Sequence, residues 1–144
     1  MNELEIGQVL SLKIRYNNEG LTATKKHPYL IVGVDKELNT VEVAQLDSLR
    51  GKEYKAMRKS NKIIYSDDPD ETVIDQDSYI QLDNTFRIEN SQHLLNYRRQ
   101  ESKLSDDKLS DVLDSYKKYH EENDIEDNKN VYMTINEIAE LNKL

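Results

Sequence analysis

Two neighbouring segments with strand patterns constrain the fold of this chain more than any other feature. Residues 28–35 (PYLIVGVD) form a nearly continuous apolar run, as expected for a central strand, and residues 40–46 (TVEVAQL) alternate between apolar and polar side chains. A polar segment, residues 36–39, joins the two runs. Pro28 is compatible with a strand because it occupies the first position, where its missing N–H is tolerated. The two runs predict a β-hairpin.

Shorter strand patterns surround this hairpin. Residues 8–16 (QVLSLKIRY) alternate after Gly7, and three further candidates follow at residues 62–65, 78–82 and 85–88. Polar turns separate these segments. Five or six short strands joined by polar turns favour a small barrel over a parallel sheet with crossover helices.

The apolar period changes after these strands. Residues 91–100 predict a short helix, and Ser105 can cap a longer one. Residues 121–130 are polar and acidic and predict a flexible linker, and Thr134 begins a last helix through a capping box. The longer helix carries a narrow apolar stripe, formed by Leu109, Val112, Leu113 and Tyr116.

We therefore predict a mainly β fold with α, in two domains. A β-barrel domain occupies residues 1–90, and an acidic helical extension occupies residues 91–144. The net charge of −8 over 144 residues by itself disfavours nucleic-acid binding. However, residues 1–100 hold 14 Lys/Arg against 16 Asp/Glu, whereas residues 101–144 hold 6 against 12. The first part is thus free to present a basic surface.

Several classes of protein and site are excluded or disfavoured by what the sequence lacks. The chain has no Cys, which excludes disulfides and thiolate catalysis. No segment approaches the about 20 apolar residues that cross a bilayer, and the first residues do not resemble a signal peptide. We therefore expect a cytoplasmic protein with no membrane partner.

No metal and no cofactor are expected. The three His are scattered without ligand spacing, and the four Gly form no phosphate-binding loop. An acidic cluster lacks the central Gly of a calcium loop and is interpreted as a solvated turn. Its members are Asp67, Asp68, Asp70 and Glu71.

Cations are concentrated in the segment that follows the hairpin. Six Lys or Arg lie between residues 50 and 62, and two more precede the second strand. In a small barrel these loops can open onto one side, where they would bind a phosphodiester backbone while an aromatic ring stacks on a base. The alternative is a Lys-rich loop that only aids solubility. The predicted substrate-binding residues are Lys25, Lys26, Arg50, Lys52 and Tyr54.

Four segments, in this order and spacing, resemble toxins of the MazF/PemK family. Residues 6–10 (IGQVL) resemble the opening strand of the family, and residues 26–33 (KHPYLIVG) resemble its basic residue, Pro and second strand. Residues 41–48 are similar to its third strand and the following Thr/Ser-bearing loop, and residues 78–84 resemble a late strand. The resemblance covers residues 5–90.

This resemblance implies an SH3-like barrel, usually a homodimer, that cleaves single-stranded RNA without a metal and is restrained by an antitoxin protein. Family activity usually depends on an Arg before the strand-two Pro and on a Thr or Ser after strand three. His27 and Ser48 occupy these positions here and are the candidate catalytic residues. Arg is a permanent cation that can clamp a phosphate bidentately, whereas His is neutral for much of the time at about pH 7.

Two interpretations of His27 follow. Either it acts as general acid/base while Lys26 or Arg50 stabilises the phosphorane, or the site is inactive and His27 only packs near a strand end. The expected function is a metal-independent endoribonuclease toxin of a toxin–antitoxin system. The alternatives are a catalytically inactive SH3-like module that binds RNA or protein, and a helical interaction protein whose tail does the work.

The acidic tail allows two hypotheses of its own. It either lies over the basic surface and competes with RNA, or its helix at residues 105–120 packs against the barrel while the remainder is solvated.

Overall fold

A computed structural model of the protein describes residues 3–66 and 73–143. The described residues form strands, α-helices and two 3₁₀ helices, at Gln92–Tyr97 and Asp127–Lys129. The strands are β1 (Val9–Leu12), β2 (His27–Asp35), β3 (Thr40–Ser48), β4 (Asn61–Ile64), β5 (Ser78–Gln81), β6 (Thr85–Glu89) and β7 (Asn130–Met133). The helices are α1 (Glu53–Ala56), α2 (Asp106–Glu122) and α3 (Ile135–Leu141).

The long strand β3 organises the sheet. Along one side it pairs antiparallel with β2, which in turn pairs with β1. Along its other side, the first half of β3 pairs with β6 and the second half with β5, which carries β4. β7 then pairs with β6 in parallel. The sheet therefore branches at β3, and the end of β3 is held between β2 and β5.

Both faces of the central strands are buried, which explains the continuous apolar run of β2. Tyr29 and Ile31 contribute to one core, and Leu30 and Val32 contribute to the other. The first core is completed by β6, β7, α3 and Leu94. The second core is completed by α2, whose buried residues are Leu109, Val112 and Tyr116, together with residues of β4 and β5.

The last helix closes a gap beside β1 through a side chain. Asn142 donates from Nδ2 to the carbonyl oxygen of Lys13 at 2.9 Å, and its Oδ1 accepts from the N–H of Lys13 at 2.7 Å. Arg15 makes a second link, because its guanidinium donates to the carbonyl of Tyr132 and pairs with Glu137 at 2.7 Å. These side chains satisfy backbone groups that a neighbouring strand would otherwise satisfy.

The mainly β fold with α is confirmed, and the predicted hairpin is formed by β2 and β3. Closure into a barrel is not confirmed, because no backbone ladder among the described strands joins the two ends of the branched sheet. Helix α2 packs on the second core, as one of the two tail hypotheses requires. The other part of that hypothesis, a solvated remainder, is wrong, because Val131, Met133 and Ile138 are buried in the first core. Thr134 caps α3 by accepting from the N–H of Glu137.

Sequence patterns missed the strand β7 and the short helix α1. The segment predicted as a linker, residues 121–130, contains the end of α2 and a 3₁₀ helix. The domain division at residue 90 stays a prediction, although both cores contain residues from either side of it. Among the described residues, no helix has the length and apolar character to span a membrane.

Candidate nucleic-acid interface

The carboxylate of Asp47 lies at the end of β3, where three strands meet. Oδ2 of Asp47 accepts a hydrogen bond from the amide of Gln81 at 2.8 Å, and Oδ1 is 3.5 Å from the amide nitrogen of Gln45. Asp47 is paired with Tyr79 of β5 in the strand register. This carboxylate is therefore half-buried and held in place by β3 and β5 rather than by a loop.

Three tyrosines lie in the electrostatic field of this carboxylate. Burial raises the pKa of Tyr79, and Asp47, to which its hydroxyl is hydrogen-bonded, raises the pKa further. Burial and Asp47 also raise the pKa of Tyr16. Tyr29 is fully buried, and burial, with smaller contributions from Tyr16 and Asp47, raises its pKa far above the ordinary value. The raised pKa values favour the protonated form of all three hydroxyls.

A polar pocket of about 230 Å³ opens beside Asp47. It is lined by Tyr79 and Gln81 and by three cations, Lys52, Lys55 and Arg58. These cations make no ion pair within 4.0 Å to any residue in the described part of the chain, whereas Asp83, which also lines the pocket, is paired with Lys129 at 2.9 Å. The pocket therefore offers unneutralised positive charge next to one fixed carboxylate.

The segment after β3 places those cations. Lys52 precedes α1, and the backbone N–H groups of Lys55 and Ala56 both hydrogen-bond to the carbonyl of Lys52. Ala56 is buried, and Asn61 donates from its side chain to the carbonyl of Lys55 at 2.7 Å. This turn is therefore folded against β4, and its lysines are presented at fixed positions.

His27, the predicted general acid/base, is the first residue of β2 and pairs with Leu12 in the register. It is half-buried, and its ring centroid lies 6.3 Å from that of Tyr16. The β2–β3 ladder ends at the pair Tyr29–Gln45, two residues short of His27 on β2 and of Asp47 on β3. His27 does not line the pocket beside Asp47.

Ser48, the predicted catalytic hydroxyl, is the last residue of β3 and follows Asp47 directly. Its hydroxyl donates to Oε1 of Gln76 at 3.2 Å and accepts from the N–H of Arg50 at 3.3 Å. These bonds join the end of β3 to the segment before β5. Ser48 does not line the pocket.

The predicted substrate-binding residues separate into two groups. Lys52 lines the pocket, and Tyr54, on α1 of the same turn, is 67% exposed, as stacking on a base requires. Lys25 and Lys26 precede β2 and are exposed, as is Arg50, but none of the three lines the pocket.

Sequence reasoning missed the acceptor at the centre of this arrangement. Asp47, Tyr79 and Gln81 are not among the predicted site residues, because a cluster of cations is the sequence feature that indicates a phosphate site. The sequence signal for them was the alternation at the end of β3, which places Gln45 and Asp47 on the same face of the strand. The residues before and between these two are apolar.

No group of three or more His, Asp or Glu in the described residues is arranged to hold a metal ion. The acidic cluster at residues 67–71 lies outside the described residues.

The pocket has the groups required to bind a phosphate and to polarise a neighbouring hydroxyl. The cations Lys52, Lys55 and Arg58 can stabilise a phosphoryl oxygen, while Asp47 can accept a proton. Comparison with known proteins adds no assignment, since no protein family, curated protein or solved structure matches the chain.

Proposed function

We propose that this protein is a metal-independent endoribonuclease that binds single-stranded RNA at the pocket beside Asp47. One observation carries the proposal, namely the three cations without a described ion-pair partner around a strand-held carboxylate. A phosphodiester needs positive charge for binding, and cleavage of RNA needs a proton acceptor for the 2′-hydroxyl. The pocket brings both requirements together.

In this mechanism Asp47 takes the proton of a ribose 2′-hydroxyl, and His27 is the alternative acceptor. The 2′-oxygen attacks the adjacent phosphorus, and the bond from phosphorus to the 5′-oxygen breaks as that oxygen takes a proton from water. The acceptor then returns its proton to the solvent. Lys52, Lys55 and Arg58 stabilise the charge that develops on the non-bridging oxygens. The products are a 2′,3′-cyclic phosphate and a 5′-hydroxyl, and no metal takes part.

The resemblance to MazF/PemK toxins supports the remaining parts of the proposal. These are an antitoxin protein as partner, a homodimeric assembly and a cytoplasmic location. Growth arrest on expression and the mass of the protein by sedimentation equilibrium test the toxin activity and the dimer separately.

A second candidate is an RNA-binding module without catalytic activity. The observation that favours it is that neither His27 nor Ser48 lines the pocket, while the hydroxyl of Ser48 is engaged with Gln76. In this candidate the cations still bind the phosphates of RNA, and no residue accepts a proton.

Cleavage of a long single-stranded transcript in buffer with EDTA distinguishes the two candidates. We expect site-limited cuts by the wild type and at least about a 100-fold slower rate in Asp47→Asn, because removing a general base costs factors of this order. Binding by Asp47→Asn is expected to be equal or tighter, since a negative charge is lost from a cationic pocket. Asp75→Asn, at an exposed carboxylate outside the pocket, is the matched control.

His27→Ala tests the second proton-transfer group in the same assay. A loss of cleavage comparable to that of Asp47→Asn assigns His27 a role in the reaction, with His93→Ala as control. Tight binding without cleavage by the folded wild type would instead select the non-catalytic module. Absence of both binding and cleavage would refute the proposal.

A further inference from the structure

A second pocket of about 660 Å³, which lies against α2, neighbours the pocket beside Asp47. Both pockets are lined by Ser60 and Asn61, at the start of β4. On its far side the second pocket is lined by Ser115, Lys118 and Tyr119 of α2. The two pockets meet at Ser60 and Asn61, on opposite faces of the edge strand β4. The surface that they make together, called here the joined groove, passes from the turn after β3 around the start of β4 to α2.

The charge of the joined groove is opposite to that of the chain. Three carboxylates line it, at Asp47, Asp83 and Glu122, and Asp83 is paired with Lys129. The chain as a whole has a net charge of −8. Six cations line the groove, namely Lys52, Lys55, Arg58, Lys59, Lys62 and Lys118.

The packing of α2 explains how an acidic helix presents a cation to this groove. Leu109, Val112 and Tyr116 are buried in the second core, which fixes the rotation of the helix. Lys62 of β4 pairs with Asp111 at 2.8 Å, so this acidic residue is partly neutralised and does not line the groove. Lys118 is exposed and lines it.

We propose that the joined groove binds one continuous single strand of RNA, and that α2 contributes to its affinity through Lys118 and Tyr119. This inference rests on the proposed function, because the same strand would occupy the pocket beside Asp47. The cations would contact the backbone of the strand. Tyr119, which lines the groove and is half-buried, and the exposed Tyr54 of α1 offer rings for base stacking. The acidic tail thereby binds RNA through α2 instead of competing with it.

The test compares the affinity of the full chain for oligouridines of about 4 and about 12 nucleotides, lengths that bracket the usual site sizes for single-strand-binding barrels. We expect the longer strand to bind at least about tenfold more tightly at low salt, since it can contact more cations. Lys118→Glu is expected to weaken binding of the longer strand by about tenfold and to leave the shorter strand unaffected. It should also make the salt dependence for the longer strand shallower.

Lys117→Glu is the matched control, because Lys117 is the neighbouring exposed residue of α2 and does not line the groove. Equal effects of the two substitutions would overturn the inference, since they would reflect net charge alone. Equal affinity of the wild type for both lengths would also overturn it, while binding of the short strand would leave the proposed function intact. A wild type that binds neither oligouridine refutes both proposals. Binding of an acidic peptide by a protein that binds neither oligouridine would likewise refute both.

Discussion

Tyr29 places a polar hydroxyl inside the first core. Its ring packs edge-on against Phe86 with centroids 6.2 Å apart, so the side chain belongs to the first core. Its hydroxyl is buried and has no hydrogen-bond partner among the described residues. A buried hydroxyl without a partner loses its hydration without compensation, at about 1–3 kcal/mol. Tyr29 therefore carries a cost that a phenylalanine would avoid.

The raised pKa of Tyr29 leads to a prediction at alkaline pH. In the unfolded chain a tyrosine loses its proton near its ordinary pKa of 10.0, whereas folded Tyr29 retains it. The contribution of this pKa difference to the unfolding free energy is fully present below the unfolded pKa and is lost as the pH rises through the folded pKa. Each such tyrosine lowers the unfolding free energy by about 1.4 kcal/mol per pH unit above pH 10, and Tyr116, whose pKa burial and Glu42 raise, adds to the effect.

Urea unfolding at about pH 8 and about pH 11 measures this dependence. We expect Tyr29→Phe to be equally stable or about 1 kcal/mol more stable at the lower pH, and to lose less stability than the wild type at the higher pH. Tyr132→Phe, at a residue that is 49% exposed, should leave both values unchanged. A clear loss of stability in Tyr29→Phe at the lower pH would contradict the prediction, since it would mean that the hydroxyl makes a favourable bond.

At the scale of elements, the long strands and their hairpin could be predicted, whereas β7 and the pairing between distant strands could not. The runs in β2 and β3 are long enough for their patterns to be unambiguous, and both strands form within one residue of the predicted start. β7 has only four residues, NVYM, and lies after an acidic segment, so its pattern is weak. Its parallel pairing with β6 joins residues far apart in the chain, which no local pattern encodes.

The link between α3 and the residues after β1 gives a prediction at this scale. Asn142 satisfies both backbone groups of Lys13, so Asn142→Ala should lower the unfolding free energy by about 1–3 kcal/mol, the cost of leaving partly buried polar groups unpaired. Asn136→Ala, at an exposed position of the same helix, is the control and should change it by less than about 0.5 kcal/mol. Thermal unfolding followed by circular dichroism provides both values. Equal stability of the two variants would show that solvent replaces the side chain of Asn142 without cost.

The candidate site was only partly predictable, for reasons of the same kind. Lys52 and Tyr54 belong to a local cluster that composition reveals. By contrast, the proximity of Asp47, Tyr79 and Gln81 depends on the pairing of β3 with β5 across residues 49–77, and no local pattern in that segment encodes this pairing. Local patterns identify which residues carry charge, and the sheet register determines which of them meet.

At the scale of the whole molecule, the two cores connect the parts of the chain before and after residue 90. Leu94, Val131, Met133 and Ile138 are buried in the first core, and β7 covers the edge of β6. The tail also supplies Val112 and the other α2 residues of the second core. Separating the chain at residue 90 would expose apolar surface of both cores and leave the edge of β6 unpaired.

A fragment of residues 1–90 is therefore expected to lack cooperative unfolding. Without Met133 and its neighbours the first core loses several fully buried side chains, and truncation of each costs about 2–5 kcal/mol. The sum of these losses exceeds the unfolding free energy of most domains. Calorimetry and binding of a hydrophobic dye compare the fragment with the full chain. A cooperative transition in the fragment would contradict this expectation and would support the two predicted domains.

The bond between Lys13 and Asn142 also affects how the protein is made. These residues are 129 positions apart, so Lys13 is synthesised long before its partner. During translation the residues after β1, and later β6, therefore emerge with open edges that only the last segment can cover. The edge of β6 can be covered only after β7 leaves the ribosome, and the groups of Lys13 only after residue 142 does. Until then these edges are open to pairing with other chains.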